Sequence, residues 1–219
     1  LFTTLIINCL QEPKTTEKIN LLKVYFETEN STFLPITLHL LMGYNFGRFC
    51  SGKLLRQWCS EETALPNWLV DESYEALGDN SETIALCFAP KVAKRDWTIL
   101  EIYNEMVLLK SKSIPEKKEW VCSKWHDLSA SDIYTFNKLL GGGIRIGASK
   151  KNVLKALSLV TAIDLNVLEQ RILGSWAPTL TSYEALVNPL TDDGLGLTPF
   201  PFFLACLLYT SDAADDGLC

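Results

Sequence analysis

The stretch Phe136–Leu157, FNKLLGGGIRIGASKKNVLKAL, decides how the chain is read. Three consecutive glycines, Gly141, Gly142 and Gly143, interrupt a helical pattern. Arg145 follows inside Ile-Arg-Ile-Gly, and Ser149 opens a second helical pattern. No Asp or Glu occurs between Ile133 and Ile163, whereas Lys138, Arg145, Lys150, Lys151 and Lys155 all fall there. The whole chain has a formal charge of −6, so this window reverses the local sign. Such a reversal fits a surface that meets a polyanion.

The expected local geometry suits a phosphate. Ser149 in the N-cap position would hold one free backbone N–H with its hydroxyl. The other first-turn N–H groups stay open, backed by the positive end of the helix dipole. Val153, Leu154, Leu157 and Val160 share one helical face, with Lys151 and Lys155, four apart, on the other. The glycines have no Cβ, so a sugar–phosphate backbone could come close to the main chain. A plain helix–helix turn flanked by solvated lysines would show the same residues, and charge and spacing leave both readings open.

Composition sets the outer bounds. At 219 residues the chain can form one domain with a sizeable core, or a domain and a stub. No apolar run reaches the length of a membrane span, and the start lacks the basic-then-apolar pattern of a signal peptide. The chain opens on Leu1, so the natural start is expected upstream. Seven cysteines are scattered without a Cys-x-x-Cys pair, which points to reduced thiols in a cytoplasmic protein, not a disulfide frame or zinc site.

Periodicity predicts an all-α domain of about ten helices, with no convincing strand and no repeat. Helices are expected over 2–10, 15–28, 31–42, after Ser51, 66–77, from Asn80 or Ser81, and over 98–110. Further ones follow Pro115, Ser129, Ser149 and Asp164 (ending at Gly174), and 181–187 closes the series. Thr15 or Thr16 is the expected cap of the second. The six tryptophans read as packing anchors. From Asn30 to Ser60 acidic residues are again absent. There Lys53 and Arg56 face away from Leu54, Leu55 and Trp58, which makes a second basic patch or an ordinary solvated face. His39 and His126 are isolated. The segment 191–201, TDDGLGLTPFP, reads as a linker, and its two acids as solvated.

Four pieces in order resemble the N-terminal DNA-binding domain of bacterial ATP-dependent DNA ligases. They are Leu54–Leu86, the central FNKLLGG with its basic RIG, Ile163–Pro178 (IDLNVLEQRILGSWAP) and Thr198–Ala205 (TPFPFFLA). The resemblance runs from about Phe2 to Ala205. It implies a helical DNA-binding domain over 1–190, a linker over 191–205, and a nucleotidyltransferase domain beyond. Residues 206–219 contain CLLYTSDAADD, which resembles one reading frame of a sequencing adapter and is expected to be an artefact; without it the formal charge is −3.

The resemblance also implies the partner and the chemistry. The partner is duplex DNA, nicked, engaged by a monomer through the minor groove and phosphates. Gly143, Arg145 and Gly147 carry over as the groove-facing loop. Ser149, Lys150 and Lys151 carry over as phosphate contacts, with Lys138 and Lys155 beside them. The family has a denser basic loop where this chain shows GYNFGRFCSGK (Gly43–Lys53), so Lys53 and Arg56 carry over less directly. Sealing a nick needs a lysine that takes AMP from ATP, with a divalent metal such as Mg. No Lys-x-Asp-Gly, Walker-type nucleotide loop or His/Cys metal cluster is read in the sequence. ATP and metal are thus expected for the parent enzyme, and no cofactor or catalysis for this stretch. A nonenzymatic helical nucleic-acid-binding protein and a helical protein-interaction scaffold remain the alternatives.

Overall fold

Helix starts are set mainly by short polar side chains. The computed structural model describes residues 1–44, 47–88, 92–173 and 176–189. Ser51 accepts the Leu54 N–H (3.3 Å) at the start of α4 (Gly52–Thr63). Thr98 and Glu101 cap α7 (Ile99–Leu109) reciprocally. Glu116 accepts the Ser113 N–H (2.9 Å) ahead of α8 (Ile114–Asp127). Ser129, Ser149, Asp164 and Thr179 cap α9 (Ala130–Leu140), α10 (Lys150–Thr161), α11 (Leu165–Arg171) and α12 (Leu180–Val187).

The remaining helices are α1 (Phe2–Gln11), α2 (Thr15–Thr28), α3 (Leu34–Leu41), α5 (Asn67–Leu77) and α6 (Asn80–Cys87). Among the described residues the fold is all-α, with twelve helices against the expected ten or so. Several starts, among them those of α5, α7, α8 and α12, shift by one residue from the sequence reading, and three more differ in cap or turn. Thr15 is the first residue of α2, not its cap, and Glu12 takes the Lys14 N–H instead (2.8 Å). α3 begins at Leu34 because 31–33 form a turn before Pro35. Asp79, not Asn80 or Ser81, caps α6 by accepting from Ser81 (2.9 Å) and Glu82 (3.4 Å). Gly174 and the linker at 191–201, with the tail after it, lie outside the described residues. No helix among the described residues is long and apolar enough to cross a membrane.

Two packed groups meet at the α9–α10 connection. In one, α2 lies along α10, with α1, α3 and α11 against it. In the other, α6 lies along α9 and is flanked by α4 and α5. α1 reaches α9, α3 holds α7 and α12, and one apolar cluster runs through both groups. Trp125 is fully buried at its centre, and its indole N–H donates to Asn137 Oδ1 (3.0 Å). Trp58 is also buried, while Trp97, Trp120 and Trp176 pack against the cluster from its edge. Trp68 departs from the packing role: it lies 66% exposed on α5. His39 stacks on Tyr44 (5.1 Å) and Trp176 (6.1 Å), and burial pulls its pKa below the ordinary imidazole value. His126 pairs with Glu62 (2.7 Å).

Trp125→Phe removes the donor from a buried carbonyl oxygen and leaves a gap. It should cost about 1–3 kcal/mol for the unsatisfied group alone, read as a lower urea midpoint at unchanged slope.

Candidate nucleic-acid interface

The glycine run first ends a helix. The N–H groups of Gly141, Gly142 and Gly143 donate to Asn137 (3.0 Å), Leu139 (3.1 Å) and Lys138 (3.4 Å) carbonyls, closing α9. The next three residues are extended in effect: Ile144 and Ile146 are buried and Arg145 between them is exposed. Two isoleucine anchors thus push one guanidinium outward.

A second loop lies on this one. Gly142 sits at φ +104°, and a Cβ there would stand 3.5 Å from the backbone of Gly47 and Arg48. The Phe49 N–H donates to the Leu140 carbonyl (3.1 Å). Lys117 of α8 donates to the Phe49 carbonyl from the other side (3.5 Å). The two acid-free stretches, far apart in sequence, therefore form one surface region. Contrary to the sequence reading, which found no Walker-type loop, the segment Gly47–Lys53 does have the Gly-x-x-x-x-Gly-Lys spacing of a phosphate-binding loop. Leu54 replaces the hydroxyl residue, a helix precedes it instead of a strand, and its Phe49 N–H is engaged by Leu140, so it is no nucleotide cradle.

At the start of α10, the Ser149 hydroxyl accepts the Asn152 N–H (3.2 Å). Lys150 and Lys151 are exposed but point apart, since neighbours on a helix diverge by about 100°. The Lys150 ammonium lies 4.8 Å from the centre of the Tyr44 ring, at the edge of the second loop. Lys151 turns to Glu169 on α11 (3.5 Å). Lys155 continues that outer face, opposite the buried Val153, Leu154, Ala156 and Leu157.

The absence of acids in sequence is not an absence in space. Asp79 of the α6 cap pairs with Lys138. Burial pushes the Asp79 carboxyl up, but Lys138 and the Ser81 and Glu82 N–H groups outweigh it and hold it below the usual range. Arg56 is bound by Asp71 (2.6 Å) and Asn80 (2.9 Å) and lies over the Tyr74 ring (4.1 Å). Among the described residues Arg48, Lys53, Arg145, Lys150 and Lys155 in this region are exposed cations without a carboxylate partner, as are Lys14, Lys94 and Lys110 elsewhere.

Sequence reasoning missed Lys18. It lies on the buried face of α2 with Ile19 and Leu22, and its ammonium donates to the Ile146 carbonyl (2.9 Å). A lysine four residues before Leu22 on an apolar stripe was the available signal. Gly147 stands directly above it at φ +66°, where a Cβ would come within 2.5 Å of the Lys18 nitrogen. Gly147→Ala should therefore cost at least about 1–2 kcal/mol from the left-handed backbone alone. Gly141→Ala, at φ −70° with no contact under 3.4 Å, should be neutral or stabilising by up to about 1 kcal/mol. Thermal melts of the two variants read the contrast.

Comparison with known proteins adds one finding. Residues 2–158 match the family model described as DNA ligase N terminus. That span holds both loops and α10 to its last turn, while α11 and α12 follow it. No curated protein sequence matches the chain. With most of its length under that one model, and an all-helical fold that seats the glycine loop between two helix groups, the chain belongs to the DNA ligase N-terminus family.

Proposed function

We propose that this chain is the duplex-DNA-binding N-terminal portion of an ATP-dependent DNA ligase, an enzyme that seals nicks in replication, repair or recombination. The observation that carries the reading is Arg145: exposed, without a carboxylate, and held between two buried isoleucines on a glycine loop. Gly143, Arg145 and Gly147 face the minor groove of nicked duplex. Ser149, Lys150 and Lys151 meet phosphates, and Arg48 joins them from the second loop. Lys53 and Lys155 extend the footprint. Lys138 and Arg56, already engaged by Asp79 and Asp71, serve the fold first. Recognition then rests on backbone charge and groove shape, with little sequence preference.

In this reading residues 1–190 are the binding domain of a monomer and 191–205 lead to a nucleotidyltransferase domain. ATP and Mg belong to that domain. Among the described residues no three His, Cys, Asp or Glu side chains are grouped to hold a metal ion, and no Lys-x-Asp-Gly lysine is present. The residues present do not fit either group, so no adenylation step is assigned to them.

The scaffold reading has one observation in its favour. Leu65, Leu69, Leu77 and Leu86 line a cavity of about 230 Å³ on α5 and α6, with Trp68 exposed on the same helix. Retained affinity for that face with no DNA binding at low salt would select it.

Arg145→Ala and Lys151→Ala should each weaken binding to every duplex sequence and lower the salt slope by roughly one unit. Arg56→Ala and Lys138→Ala should instead lower the melting temperature and leave the slope in place. Fluorescence anisotropy on a nicked duplex across salt concentrations separates the two classes. An unchanged slope in both of the first pair would remove this surface from the DNA contact.

A further inference from the structure

The two most buried lysines differ in one respect. Lys124 is 3% exposed and has a counter-charge: Glu105 lies at 2.6 Å, and the Trp97 ring faces its ammonium at 3.1 Å. Lys18 is 9% exposed and has none. Its one acceptor is the neutral Ile146 carbonyl, and among the described residues no carboxylate pairs with it. The titratable neighbour it influences is the Cys9 thiol, which burial pushes up to about 11 despite the pull of Lys18. That thiol stays neutral and offers no compensation.

An ammonium taken out of water without an anion destabilises a fold. Here the destabilising charge stands under the loop that presents Arg145, which is itself uncompensated by an acid. Above it is Gly147, exposed and lacking the Cβ that would displace the ammonium. We infer that Lys18 is a buried counter-charge for a phosphodiester docked on the Gly147 face of the loop. It holds the Ile146 carbonyl, and with it Arg145, in place, and its field acts through Gly147 on the anion. The role rests on the duplex-DNA reading above and adds to it a residue that does not touch the ligand.

The test compares Lys18→Met and Lys18→Gln with the parent in the full 219-residue chain. The probe is a labelled nicked duplex. Lys18→Gln should melt at or above the parent, because a buried lone charge is gone, whereas Lys18→Met, which leaves the Ile146 carbonyl without its donor, should melt lower. Both should bind DNA about tenfold more weakly at low salt, with a slope shallower by about one unit. Lys18→Gln keeps a donor for Ile146 and loses only the charge, so it carries the comparison if Lys18→Met does not fold. Variants that bind with the parent's affinity and slope would make Lys18 a structural peg and overturn the inference while leaving the DNA reading intact. A parent that binds no duplex would overturn both.

Discussion

The hydrogen bond from the Phe49 N–H to the Leu140 carbonyl, beside the bare Cα of Gly142, is the constraint on which the surface depends. It ties the loop after α3 to the turn that ends α9. Without it the two acid-free stretches would be separate loops on separate helix groups. A side chain at Gly142 would need a backbone at φ +104°, which L residues rarely adopt, although its Cβ would meet Gly47 and Arg48 only at ordinary contact distance (3.5 Å). One main-chain contact, beside a turn whose φ favours glycine, thus ties the loop of Arg48 to the loop of Arg145.

Much of this was legible before any coordinates. Capping residues announce themselves locally, because a serine or aspartate ahead of an apolar stripe has few other structural uses. Ser51, Ser129, Ser149 and Asp164 were read correctly for that reason. Errors came where two candidates adjoined: Asp79 over Asn80, because its carboxylate also answers Lys138 from α9, a partner no local reading supplies. The exposure of Arg145 was readable from Ile-Arg-Ile; the burial of Lys18 had only its place on the stripe of Ile19 and Leu22 to announce it, against the default that a lysine on a helix is solvated.

Charge was the least legible property. A run without acids says nothing about acids brought in by other helices. Lys138, Arg56 and Lys151 meet Asp79, Asp71 and Glu169, each from a different element. The acids sit at the cap of α6, on α5 and on α11. Arg48, Arg145 and Lys150 beside the two loops keep no such partner, and neither do Lys14, Lys94, Lys110 and Lys155 elsewhere among the described residues.

Bare cations beside the two loops answer the objection that an acidic chain makes a poor nucleic-acid binder. Screening at physiological salt acts over about 8 Å, so a phosphate at the loop senses the nearest few charges and not the formal total of −6. Acids already engaged in ion pairs project little field beyond their partners. The bare cations beside the loops are then what such a phosphate meets, and the burial of Ile144 and Ile146 on either side of Arg145 keeps that guanidinium on the surface.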